Sequence, residues 1–126
     1  MSDTRVRYDE RTIDGLVVGA LELSSASGVN PLASSTVRTL RDAVARVGTA
    51  GGPRALQITA LGRCFCAGAD VKEFRGFDAA AFRDYMSGIL ALYAEMMEAA
   101  GPIVATVQAD ALGGGAALAF CSDFVV

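Results

Sequence analysis

Three consecutive glycines, Gly113, Gly114 and Gly115, separate an apolar, strand-like stretch (103–107) from an alanine-rich run in the segment PIVATVQADALGGGAALAFCSDFVV. Bare backbone at a strand-to-helix junction narrows what this part of the chain can do. Glycine adopts conformations that other residues resist, and it lets a ligand come close to the main chain. At a helix start its N–H has no intrahelical partner and lies at the positive end of the helix dipole. Such a donor suits an oxyanion. A tight turn with close helix–sheet packing would need the glycines equally well, and the triplet alone does not choose.

The rest of the chain alternates strands and helices. A short alternation, VRY, near the start could be an edge strand. Residues 15–23, GLVVGALEL, form a second strand pattern in which Gly19 marks a bulge or a close approach. After the loop SSASGVNP, Val37, Leu40, Val44 and Val47 recur at helical spacing, with Ser34 or Ser35 as cap and Gly48 as stop. RALQITA (54–60) is a short strand, and LGRCFCAGAD an irregular elbow. Phe82, Met86, Ile89, Leu90, Tyr93, Met96 and Met97 then trace one apolar face of a long helix closed by Gly101-Pro102. The Met and aromatic content of that face allows a flexible ligand pocket, though plain core packing accounts for it as well. Alternation of this kind predicts a layered α/β fold with mostly parallel pairing.

Composition removes several function classes. The 126 residues make at most one domain, and 52% are hydrophobic, which suits part of a larger globule better than a self-sufficient monomer. A net charge of −3 argues against nucleic acid and anionic membranes as partners. No apolar run approaches the length of about 18 residues that spans a bilayer. The opening MSDTRVRYDERT is too polar for a secretory signal, so a cytoplasmic protein is expected. Cys64, Cys66 and Cys121 lack the paired spacing of a zinc site and are expected to be thiols in a reducing compartment, with no metal implied. There is no histidine, which leaves proton transfer within this chain to carboxylates, Tyr, Lys, Cys or water.

An internal echo adds to the glycine argument. LQITALGRCFCAGAD and IVATVQADALGGGAA each run from a strand through a small-residue elbow toward a helix. Two such elbows side by side would present backbone N–H groups to a common point. The nucleotide alternatives fail: a dinucleotide fingerprint wants a third glycine where Leu118 stands, and no phosphate-binding loop with its lysine occurs.

GRCFCAGADVKEF (62–74) followed by PIVATVQADALGGGAALAFCSD (102–123) resembles the paired signature of the crotonase, or enoyl-CoA hydratase/isomerase, superfamily, and NPL (30–32) fits the same pattern. The resemblance runs from about Val6 to the last residue. It implies an α/β fold, the crotonase-like ββα spiral, with residues 1–126 as the N-terminal part of a single domain whose C-terminal helical part is absent. It also implies an oxyanion hole made by the peptide N–H groups of Ala69 and Gly114. Together these would hold a thioester carbonyl oxygen and stabilise the enolate formed from it. Ala67, Gly68, Asp70, Val71, Lys72 and Gly113 are the implied substrate contacts. The substrate would be an acyl-CoA or acyl-carrier-protein thioester, coenzyme A or phosphopantetheine entering as part of it and no other cofactor being required. A full-length member would assemble as a homotrimer or hexamer.

One position departs from the family. Hydratases carry a glutamate two residues after the third glycine, and here that residue is Ala117. Double-bond isomerisation or decarboxylation is therefore expected over two-glutamate hydration. A non-catalytic thioester-binding member of the same fold is the alternative. Other candidates have two readings each. Asp70 is a base or the cap of the following helix; Lys72 meets a CoA phosphate or only solvent; Tyr85 and Tyr93 line the acyl pocket or pack in the core. Asp110 could face the pocket, Glu73 is expected at the surface, and Asp123 in a structural role.

Overall fold

A computed structural model describes residues 4–126. Strands β1 (Arg5–Ile13) and β2 (Leu16–Ser24) form an antiparallel hairpin in unbroken register from Arg5↔Ser24 to Ile13↔Leu16. The turn between them uses left-handed backbone at Asp14 (φ 50°) and Gly15 (φ 80°), the Asp-Gly signature of a tight two-residue connection. Because the register is continuous, Gly19 is no bulge. It is a close approach, where an added Cβ would lie 3.0 Å from the Tyr8 hydroxyl and 3.1 Å from Leu56.

The chain then winds forward one strand at a time. After β3 (Pro31–Leu32) and α1 (Ser34–Arg46), β4 (Ala55–Ala60) joins β2 in parallel. Short strands β5 (Cys64–Cys66) and β6 (Gly68–Ala69), helices α2 (Val71–Phe74) and α3 (Ala79–Met97), and β7 (Ile103–Ala105) complete the next turn. β8 (Asp110–Ala111), α4 (Gly114–Phe120) and β9 (Phe124–Val125) follow. The main sheet has the order β1-β2-β4-β7-β9, parallel after the first pair. The short strands pair across successive turns, β3 with β6 and β5 with β8, both in parallel. Each turn thus adds one strand to the main sheet, then one or two short side strands and one or two helices. This is the ββα spiral expected from the sequence.

Burial alternates along the main strands. Leu21 and Leu23, Leu56 and Ile58, and Ile103 and Ala105 face the core, while Glu22, Gln57 and Thr59 stay half-buried on the other face. Against the apolar face lies α1, which buries Val37, Leu40, Ala43 and Val44 and packs against α3. Two details differ from expectation. The buried stripe of α3 is Tyr85, Ile89, Leu92 and Met96, whereas Phe82, Leu90 and Met97 are exposed. Neither Ser34 nor Ser35 caps α1: Ala33 holds that position, and the Glu73 carboxylate takes the Ser34 N–H (3.0 Å) and hydroxyl from outside the helix. Glu73 is half-buried and committed rather than a free surface group. Among the described residues, no helix is long and apolar enough to cross a membrane.

Candidate active site

The two elbows meet because the strands that deliver them pair. β5 and β8 run parallel with Cys64 opposite Asp110 and Cys66 opposite Ala111, and each strand passes directly into its elbow. Leu112 N–H donates to the Cys66 carbonyl at 3.0 Å, which locks the second elbow onto the first.

Each glycine of the triplet has its own reason. Gly113 has φ 53° and ψ −121°, a backbone that side-chain-bearing residues resist. A Cβ on Gly115 would stand 2.0 Å from the Cys66 carbonyl oxygen, so only hydrogen fits there. At Gly114 the added carbon would meet the Tyr93 hydroxyl at 2.8 Å and the Ala69 nitrogen at 3.7 Å. From the other elbow, a Cβ on Gly68 would lie 2.7 Å from the Gly114 nitrogen. The Ala69 and Gly114 amides therefore belong to touching stretches of backbone. Gly114 is the first residue of α4, so its N–H has no partner within its own helix. Ala69 and Gly114 are both half-buried, and Gly113 is exposed.

The first elbow is held from several sides. Asn30, fully buried and in left-handed conformation, donates its side-chain amide to the carbonyls of Leu61 (2.8 Å), Cys64 (3.0 Å) and Phe65 (3.3 Å) and accepts from the Ser25 hydroxyl. Ala67 N–H donates to the Val29 carbonyl. Asp70 is buried, and its carboxylate accepts from the N–H groups of Lys72 (3.1 Å) and Glu73 (3.2 Å), which makes it the cap of α2. Val71 and Lys72 are exposed; Lys72 lines an open groove of about 430 Å³ with Ser34, Arg38 and Glu73. Asp110 is exposed beside Cys64, whose thiol donates to the Asp110 carbonyl. Asp123 accepts the Ile103 N–H at 2.8 Å and so ties α4 to the sheet.

Sequence reasoning missed what two tyrosines of α3 do. The Tyr85 hydroxyl accepts the Asp70 N–H at 2.8 Å and donates to the Leu32 carbonyl. The Tyr93 hydroxyl donates to the Gly114 carbonyl at 2.7 Å. Burial raises both phenols; with the Cys66 and Cys121 thiols and Tyr85 nearby, Tyr93 is pushed up to about 12. The available signal was chemical: a tyrosine on a core-facing helix position must find a partner for its hydroxyl. Burial also pushes the Cys66 thiol up to about 11, so it is a neutral packing group at ordinary pH. Ala117 lies one turn along α4 from Gly113, half-buried, and brings no ionisable group there.

This geometry has counterparts among known proteins. The sequence model of the enoyl-CoA hydratase/isomerase family matches residues 16–126. Human mitochondrial methylglutaconyl-CoA hydratase is 31% identical over 125 residues, an alignment covering 98% of this chain and 36% of the human protein. A Mycobacterium tuberculosis hydrolase of a methyl-dioxo-hexahydroindene-carboxyl-CoA is 37% identical over 101 residues, covering 78% of the chain and 40% of that protein. The crystal structure of an enoyl-CoA hydratase from Bacillus anthracis superposes with a TM-score of 0.79 at 25% identity, covering 98% of this chain and 46% of the other. The chain spans less than half the length of these relatives. With the matched model, the paired elbows and the spiral in agreement, the chain belongs to the enoyl-CoA hydratase/isomerase, or crotonase, family.

Proposed function

We propose that this chain carries the oxyanion-stabilising half of an enzyme that turns over an acyl-CoA or acyl-carrier-protein thioester through an enolate. The observation that carries the reading is the close approach of the two elbows at the half-buried first residue of α4, where a Cβ on Gly68 would lie 2.7 Å from the Gly114 nitrogen and one on Gly114 3.7 Å from the Ala69 nitrogen. A thioester carbonyl oxygen seated between the two N–H groups gains charge when the α-carbon loses a proton or a carboxylate. Each preorganised donor lowers such a barrier by about 3 kcal/mol.

The residue after the glycines selects among reactions. Hydration by two carboxylates needs one to hold and deprotonate water, and Ala117 cannot do so. Isomerisation asks less of this elbow. A base removes the α-proton of a 3-enoyl thioester, the electron pair moves onto the carbonyl oxygen, and a proton returns at the γ-carbon. In decarboxylation the breaking carbon–carbon bond supplies the electrons, carbon dioxide leaves, and the α-carbon is protonated. Asp70 is engaged as a helix cap and Ala117 has no ionisable group, so neither is assigned as the proton carrier for either route. A trimer or pair of trimers belongs to the same proposal.

The test is turnover by the protein carrying this chain. Crotonyl-CoA reports hydration, a 3-enoyl-CoA isomerisation, and a 3-methylglutaconyl thioester decarboxylation, each offered on coenzyme A and on a carrier protein. Isomerisation or decarboxylation faster than hydration is expected. Fast hydration would overturn the reading of Ala117, and failure to bind any acyl thioester would overturn the proposal as a whole.

A further inference from the structure

The two tyrosines of α3 are arranged alike with respect to the two donor residues. In the first elbow Tyr85 grips the N–H of Asp70, the residue after Ala69, and the carbonyl of Leu32, which pairs with Ala69 in the β3–β6 ladder. In the second elbow Tyr93 grips the carbonyl of Gly114 itself. In both cases the hydroxyl holds the peptide unit that directly follows the donor residue. The tyrosines stand on one continuous helix, about 12 Å apart along its axis. The elbows are also joined directly, by the Cys64 thiol to the Asp110 carbonyl and by Gln108 to the Gly62 and Cys64 carbonyls, but these bonds lie upstream of the two donor residues.

We propose that Tyr85 and Tyr93 are positioning residues, a two-point brace through which α3 sets the relative placement of the Ala69 and Gly114 amides. The proposal rests on the oxyanion reading above and adds the device that holds its geometry. Oxyanion donors act only when fixed where charge will develop, and backbone at a glycine is soft unless something outside it is rigid. A phenol on a packed helix meets that need: Tyr85 is buried, Tyr93 is half-buried against the core, and each hydroxyl is directed by its hydrogen bond to the elbow. Tyr85 is further fenced by the rings of Phe74 and Phe77. Tyr93 stays protonated across working pH, so it braces without carrying protons.

The experiment compares the protein carrying this chain with its Tyr93→Phe variant, which retains the ring and loses one bond. Butyryl-CoA with a ¹³C-labelled carbonyl is the unreactive probe, and the carbonyl stretching frequency of the bound thioester is read by difference infrared spectroscopy. The wild type is expected to lower that frequency relative to free probe. Tyr93→Phe is expected to return at least about a third of the shift, keep probe affinity and KM within about twofold, and lower kcat roughly tenfold. Its kcat–pH profile is expected to keep the wild-type shape from about pH 6 to about pH 10. Tyr85→Phe should act in the same sense through Ala69.

A wild-type shift that persists in full in Tyr93→Phe overturns the brace and leaves the oxyanion reading standing. Loss of a limb of the pH profile also overturns it, since Tyr93 would then carry a proton. A wild type that leaves the carbonyl frequency unchanged overturns the oxyanion reading itself, and the brace with it. If Tyr93→Phe does not fold, 3-fluorotyrosine at position 93 preserves shape and strengthens the donor; an unaltered carbonyl frequency there is equally fatal to the brace.

Discussion

Adding one carbon at Gly115 would place it 2.0 Å from the Cys66 carbonyl oxygen, which neither backbone can escape. Gly115→Ala is therefore expected to destabilise the protein by about 3 kcal/mol, seen as a lower urea midpoint. Gly114→Ala meets one side chain rather than backbone: its carbon would stand 2.8 Å from the Tyr93 hydroxyl, so the strain is relieved by giving up the bond from that hydroxyl to the Gly114 carbonyl, and the gain in helix propensity offsets part of the cost. Its stability is expected within about 1 kcal/mol of wild type, while thioester turnover falls at least about tenfold. Equal loss of stability in both variants would contradict this division of roles. Cysteines make a second prediction at this scale. With Cys66 pushed up to about 11 by burial, only about one thiol in a thousand is ionised at pH 8. A disulfide-forming reagent followed by peptide mass spectrometry should label half-buried Cys121 first and Cys66 only on unfolding or at strongly alkaline pH.

At the scale of elements, α1 depends on a carboxylate from another helix. Glu73→Ala removes both bonds at Ser34 and should cost about 1 kcal/mol in chemical denaturation, a loss that Ser35→Ala should not reproduce. The α1–α3 contact carries a bidentate pair, Arg41 Nη2 to Glu95 Oε1 at 2.6 Å and Nε to Oε2 at 2.9 Å. The bond from Arg41 lowers the Glu95 carboxyl below its ordinary range. A lowered folded value stabilises above the unfolded one, and the contribution disappears as pH falls through the folded value. Both side chains are over a third exposed, so Glu95→Gln should cost at most about 1 kcal/mol at pH 7, with the gap to wild type closing in acid and in high salt. The order of the main-sheet strands and longer helices was legible in the sequence from their apolar patterns, whereas β5 and β6 fell in a stretch read as an irregular elbow, because two- and three-residue strands are too short to show a period. The face of α3 was not legible either. Apolar residues surround that helix, and its packing against α1 selects Tyr85, Ile89, Leu92 and Met96 over Phe82, Leu90 and Met97. Glu73 was expected at the surface for a related reason, since a partner 39 residues away leaves no local pattern.

Across the whole molecule, the spiral is what turns two distant motifs into one place. Each turn lays its strand beside the last, so the elbows that follow β5 and β8 arrive side by side, across a register shift between Cys64 and Cys66, and Gly68 comes to rest against Gly114. The meeting of the two elbows was legible in the sequence because a strand running through small residues toward a helix occurs twice, while the choice of Ala69 and Gly114 within them came from the family resemblance. The brace from α3 was not legible, because a hydroxyl's partner is fixed only after the helix docks. The central claim is that the Ala69 and Gly114 amides share one carbonyl oxygen. It is tested most directly by a crystal structure of the protein carrying this chain with an acyl-CoA bound. The thioester oxygen is expected within about 3.2 Å of both nitrogens, in line with both N–H bonds. A thioester oxygen bonded to only one of them, or seated away from both, would contradict the account.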